Sequence, residues 1–187
     1  MFAIEKLQEQ NKEERNMQEN SFPTYVFATV NAGRVQNVVE ELKRNSQIDF
    51  IAPVTGRFDL VLRLKPTAPE QIHQTINTIR QVHDIRTTAT QTAFNGYQQG
   101  KMLENHMALG FSLLNIHDHS IEDTLKQVSS IPGLVEAYEV PGQYDIIALW
   151  QAKTAEEIMK TSAEKLSHVG GLFRSETLLA YAPFFKS

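Results

Sequence analysis

The chain has 187 residues, 41% of them hydrophobic and 21% charged, an ordinary globular composition with length for one large or two small domains. A net charge of −4 gives no electrostatic reason to bind phosphate backbones, and the absence of cysteine removes disulfides, thiolate nucleophiles and cysteine metal sites. No apolar run is long enough to cross a bilayer and the charged N-terminus has no signal-peptide core, so a cytoplasmic protein is expected, with no direct nucleic acid and no membrane among its partners.

Residues 1–21 are rich in Glu, Gln, Asn and Lys and read as a charged arm; if helical, it would lay Phe2, Ile4 and Leu7 across a neighbouring subunit. Residues 25–30 are apolar and β-prone, and Val35, Val38, Val39 and Leu42 then recur at helical spacing. A second strand over 48–54 leads to Gly56, where Gly followed by one polar residue suits a two-residue hairpin with positive φ. The returning strand puts Phe58, Leu60, Leu62 and Leu64 on one face, expected under helices, and Asp59, Val61 and Arg63 on the other. Thr67-Ala68-Pro69-Glu70 has a capping-box pattern, its helix turns Ile72, Ile76 and Ile79 inward, and the Thr-rich stretch 87–92 closes the unit as a fourth strand. The segment 95–106 reads as a linker.

The order then repeats over 107–187. Strand 111–116, a helix capped at Ser120, strand 134–140, a hairpin at Gly142, a strand carrying Tyr144, Ile146, Ala148 and Trp150, a helix capped at Thr154, and a last strand from Phe173 follow in turn. The hairpins match with constant spacing, 86 positions (142 − 56 and 145 − 59). The fold class is therefore α+β, with two ferredoxin-like β-α-β-β-α-β repeats, the first over 22–94. A lone repeat leaves one sheet face bare, and Ile147 and Leu149 are too apolar to face water, so the two sheets are expected to cover each other within one chain.

The string Val54-Thr55-Gly56-Arg57-Phe58-Asp59, repeated as Val140-Pro141-Gly142-Gln143-Tyr144-Asp145, and the closing patterns Ile85 with Thr88 and Thr90 and Leu172 with Ser175 and Thr177, resemble the effector-binding (RAM) domain of the Lrp/AsnC transcription regulators. The resemblance covers about 25–94 and 107–183. It implies a dimeric α+β barrel, closed here within one chain, with an amino acid or similar small molecule held near the Gly-x-x-Asp hairpin and the closing hydroxyls. Carried over by position, it nominates Gly56, Asp59, Thr88 and Thr90 in the first repeat and Gly142, Asp145, Ser175 and Thr177 in the second. The Asp carboxylates suit an α-ammonium group and the glycine-turn amides an α-carboxylate. Read from the residues alone, both Asp side chains suit tying down the hairpin backbone better than holding a ligand, and the Thr stretch suits a plain β edge better than a hydroxyl-lined pocket.

The family's regulators begin with a helix-turn-helix reader, which the polar residues before Phe22 do not supply. The expected function is thus a non-enzymatic, effector-binding regulatory protein acting through assembly, as a homo-oligomer, or through contact with a transcription regulator. A dimeric α+β barrel enzyme, monooxygenase-like or haem-dependent, and a ligand-free adaptor are the alternatives. No cofactor and no metal are expected: His117-Asp118-His119 lacks a distant third ligand, and His73, His83, His106 and His168 have no dyad partner in the sequence.

Overall fold

β-branched and aromatic residues in alternation build the strands, and the glycine turns set their order. The computed structural model describes residues 22–99, 103–104, 106–117 and 120–185. The first repeat runs β1 (Thr24–Val30), α1 (Val35–Leu42), β2 (Ile48–Thr55), β3 (Leu60–Leu64), α2 (Pro69–Gln81) and β4 (Ile85–Thr92), followed by a short β5 (Asn95–Gln98). The second runs β6 (Ala108–Ile116), α3 (Ile121–Ser129), β7 (Leu134–Glu139), β8 (Ile146–Ala152), α4 (Ala155–Leu166) and β9 (Leu172–Ala180), followed by β10 (Phe184–Phe185). The expected arm over 1–21 and residues 118–119 of the His-Asp-His run lie outside the described residues.

All pairings are antiparallel, and the strands form one continuous sheet in the order β4-β1-β3-β2-β9-β6-β8-β7-β5, with β10 added on β2. The two halves are stitched together reciprocally. The strand trailing the first repeat, β5, pairs with β7 of the second, and β10, trailing the second, pairs with β2 of the first. The amide of Phe94 donates to Glu139 O and that of Tyr181 to Pro53 O, two bonds related by the internal pseudo-twofold. One seam adds the ladder pairs Val54↔Ala180 and Thr55↔Leu179. At the other, Thr55 is replaced by Pro141, which has no N–H to donate.

Three apolar layers result. Leu60, Leu62 and Leu64 pack with Val26, Val38, Leu42 and Ile79 beneath α1 and α2, and Ile146, Ala148 and Trp150 pack with Leu125, Val128, Ile158 and Leu166 beneath α3 and α4. Between the sheets, Val61 and Ile147, both fully buried, share a core with Phe27, Phe50, Phe111, Leu113 and Leu149. The bare faces thus cover each other, as the apolar character of Ile147 and Leu149 requires.

Four expectations need correction. The linker segment contains β5, because Asn95–Gln98 pair through the main chain, which needs no β-prone side chains. The hairpins enclose four residues, not two: the Val54 amide donates to Asp59 O and the Val140 amide to Asp145 O, with 55–58 and 141–144 between them. That longer turn takes Phe58 and Tyr144 out of strand alternation, so both enter the barrel interior instead of lying under the helices. The N-cap of α2 is Ala68, with no side-chain cap, since the Thr67 hydroxyl bonds Gln71 instead. The caps at Ser120 and Thr154 form as read, accepting from Asp123 N and Glu157 N.

Candidate functional site

The repeated hairpins meet at one mouth of the barrel. Gly56 and Gly142 hold φ of +128° and +120°, conformations that side-chain-bearing residues rarely adopt. After each glycine the Asp carboxylate folds back on the first strand of its own repeat. Asp59 Oδ2 accepts from Val30 N and Asp145 Oδ2 from Ile116 N, both at 2.8 Å, while their own amides donate to Ala28 O and Leu114 O. One oxygen of each carboxylate therefore pins the hairpin, and the other makes no hydrogen bond among the described residues.

Across the pseudo-twofold, each hairpin leans on the closing strand of the other repeat. A Cβ on Gly56 would stand 2.7 Å from a methyl of Leu178, and one on Gly142 would stand 3.2–3.3 Å from the carboxamide of Gln91. The hairpins also touch directly: Arg57 Nη1 donates to the Tyr144 hydroxyl at 3.0 Å, lies 3.8 Å from Glu176, and stacks its guanidinium 5.2 Å from the Phe58 ring centre. Burial and the charge of Glu176 raise the Tyr144 pKa, so the phenol stays protonated and available to the arginine. Gln91 is buried beside Gly142, and its Oε1 makes no hydrogen bond among the described residues.

The nominated hydroxyls do not converge with the hairpins. Thr88 and Thr90 stand opposite Ala28 and Val26, whose side chains lie under the helices, so both face the helix layer. Thr88 accepts from Arg80 Nε at 3.1 Å, and Thr90 Oγ1 is buried without a partner among the described residues. In the second repeat, Thr177 bonds Ser112, which also accepts from the Trp150 indole, while Ser175 is exposed. The two hairpins touch through Arg57 and Tyr144 with Asp59 and Asp145 each pinned to its own repeat, while Thr88, Thr90, Ser175 and Thr177 lie on the outer faces of the sheets.

A polar group inside the barrel was not anticipated. Cross-strand register lines up Gln91, Tyr25, Arg63 and Phe50 on the inner face of the first sheet, and Leu178, Phe111, Leu149 and Glu136 on the second. Position by position, the first row is polar where the second is apolar, except that Phe50 answers Glu136. Arg63 holds Glu136 with two bonds, Nε to Oε1 at 2.9 Å and Nη2 to Oε2 at 3.0 Å, and its Nη1 reaches Asp49. Tyr25 and Tyr138 also donate to the Glu136 carboxylate. Burial works against the Arg63 charge, but Tyr25, Glu136 and Asp49 outweigh it and hold the guanidinium above its ordinary range. Burial, then Glu136, pushes the Tyr25 and Tyr138 phenols up. The signal available in the sequence was Arg63 on a strand face otherwise meant for the core. At the mirrored position, Phe50 packs on Phe111 at 5.9 Å.

The described histidines, His73, His83, His106, His117 and His168, are all exposed, and none lies inside the barrel. Among the described residues, no group of three His, Asp or Glu could hold a metal ion, and no helix is long and apolar enough to cross a membrane.

The family model of the Lrp/AsnC ligand binding domain matches residues 24–103 and again 110–187. The chain belongs to the Lrp/AsnC ligand-binding domain family. Among the described residues, every helix of this Lrp/AsnC chain belongs to one of the two repeats, and no helix-turn-helix module is present. An uncharacterised HTH-type transcriptional regulator of Pyrococcus furiosus is 32% identical over 60 residues, 32% of this chain and 40% of that protein, so the match spans less than half of the relative's length. Among solved structures, the siroheme decarboxylase NirDL is similar over 88% of this chain and 72% of its own, with a TM-score of 0.67 at 13% identity. An anthrone oxidase-like protein is similar over 90% and 94%, with a TM-score of 0.50 at 8% identity. At such identities the structural likenesses establish the fold, and the barrel shared with an enzyme does not carry that enzyme's chemistry.

Proposed function

We propose that this Lrp/AsnC chain is an effector-binding regulatory protein whose amino-acid-like ligand binds at the paired hairpins and acts through assembly or through contact with a transcription regulator. The carrying observation is the meeting of the two Gly-x-x-Asp hairpins at one barrel mouth, linked by Arg57 and Tyr144. There, glycine-turn amides offer donors for a carboxylate, and the second oxygens of Asp59 and Asp145 offer acceptors for an ammonium group. Thr88, Thr90, Ser175 and Thr177 belong to this site only where a neighbouring barrel brings another surface to the outer faces on which they lie. That geometry makes ligand binding and homo-oligomer formation one linked equilibrium, shifted by no more than the ligand's differential affinity for the two states. The two repeats serve as the working domains and need no cofactor.

Thermal unfolding of the full chain against a panel of common amino acids tests this reading, because a ligand at 100 times its Kd adds about 2.7 kcal/mol. A stabilising amino acid that also changes the oligomer size in gel filtration supports it. Silence across the panel removes it. The likeness to a siroheme decarboxylase supplies the second reading, a tetrapyrrole enzyme built on the same barrel. Absorbance titration with haem and sirohaem separates the two, since a stoichiometric Soret band would reverse their order.

A further inference from the structure

The internal repeat provides a comparison within the molecule. The buried positions Thr75 and Ile79 of α2 match Ser162 and Leu166 of α4 at a constant offset of 87 (162 − 75 and 166 − 79), and Thr88 of β4 matches Ser175 of β9 at the same offset. At that offset Ile76 becomes Ala163, Arg80 becomes Ser167, and Thr88 becomes Ser175. All three changes remove side-chain volume on one outer face, between the end of the helix and the start of the closing strand. In the first repeat, Arg80 lies across this place and donates Nε to Thr88 Oγ1 at 3.1 Å. In the second, the place is a cleft of about 210 Å³ lined by Ala163, Leu166 and Ser167 of the helix end and by the strand segment Leu172, Phe173, Arg174 and Ser175.

The cleft's chemistry favours a cation. Ser167 donates its proton to Glu164 O and has His168 Nδ1 3.2 Å from its Oγ, and the Ser175 hydroxyl, which can accept, occupies the place where Thr88 accepts from a guanidinium. The cleft adjoins the C-terminal end of α4, whose terminal carbonyls carry partial negative charge. A register shift in the β6–β9 ladder leaves Phe173 without a cross-strand partner, and its ring, 67% exposed, forms one wall as a cation–π surface. Arg174 lines the cleft, but strand alternation turns its side chain to the other face of the sheet. There it stands opposite Asn115, which bonds Gln143 O of the hairpin, and its charge acts on Tyr144.

We propose that this cleft binds a small guanidinium- or ammonium-bearing molecule, whose cationic head takes the position that Arg80 fills in the first repeat. The site lies on the opposite face of β9 from the hairpins and does not depend on them.

Isothermal titration of the full chain with L-arginine and agmatine, with glycine as the control lacking a cationic side chain, tests the assignment. L-arginine and agmatine are expected to bind at one site per chain, and glycine is not. Ser167→Arg, which restores the plug of the first repeat, and Ala163→Ile should each weaken binding by about tenfold or more. Neither should shift the thermal midpoint, because both positions are exposed. The reciprocal Ile76→Ala with Arg80→Ser should open a second site per chain. No heat from either cation, or binding that survives Ser167→Arg, overturns the proposal. Binding that survives Ser167→Arg but is lost with Asp145→Ala keeps the hairpin reading and discards the cleft.

Discussion

Removing both members of the Arg63–Glu136 pair should cost far less than the sum of removing each alone. The Arg63 side chain is 11% exposed and that of Glu136 only 4%, so neither is solvated enough to tolerate losing its partner. Arg63→Leu, which copies Leu149 at the mirrored position, leaves a buried carboxylate with only the Tyr25 and Tyr138 hydroxyls; such a loss costs about 3–5 kcal/mol. That is a large share of the 5–15 kcal/mol that holds a typical domain together. Glu136→Phe, which copies Phe50, should cost somewhat less, because Arg63 keeps Asp49, whose side chain is 33% exposed. The double variant carries no buried charge. Its remaining penalty is two phenols without an acceptor, on the order of 1–3 kcal/mol each, and adding Tyr25→Phe, after Phe111, should remove half of that. Urea unfolding of the four corners of the cycle measures the coupling, expected at several kcal/mol in favour of the double variant, with unchanged m-values. If the two single costs simply add, within about 0.5 kcal/mol, the pair is not the coupled unit described here.

Other outcomes follow from the same geometry. The Tyr25 phenol is raised by burial and by Glu136, so the unfolded chain releases its proton first. The associated stability is complete below about pH 10 and is lost as pH rises beyond it, and Tyr25→Phe should flatten this alkaline fall in urea midpoints. Asp59→Ala and Asp145→Ala each remove a charge-assisted bond to a strand amide and should lower stability by about 1.5–3 kcal/mol; unchanged melting curves would show that neither carboxylate pins its hairpin. Gly56→Ala should cost about 1–3 kcal/mol and more than Gly142→Ala, since it adds a 2.7 Å contact with Leu178 to the strain of positive φ, whereas the Gln91 carboxamide can give way. Equal costs in denaturant titration would argue that φ alone decides.

What could be read from the residue string was whatever local chemistry determines. Gly56 and Gly142 marked the turns because few other residues reach their φ, and alternation after each turn placed Val61 and Ile147 on a shared buried face. Features that depend on register between distant strands were hidden. Arg63 and Glu136 are 73 positions apart and meet only once the second sheet is laid over the first. β5 was missed because Asn-Gly-Tyr-Gln carries no β signal and is held by main-chain bonds to β7. Phe58 and Tyr144 were assigned to the wrong layer because a four-residue turn breaks the alternation that a two-residue turn would have kept. The same parity explains the candidate site. Asp59 and Thr88 flank the same residue of β1, Ala28, but Thr88 stands on the helix side of the sheet and Asp59 at the barrel mouth.

The trailing strands have a mechanical implication. Because β5 lies on the second half and β10 on the first, neither half can come apart without tearing a strand from its neighbour. The chain should therefore melt in one step rather than two, and a protease cut between 99 and 106 should leave two fragments that travel together until denatured.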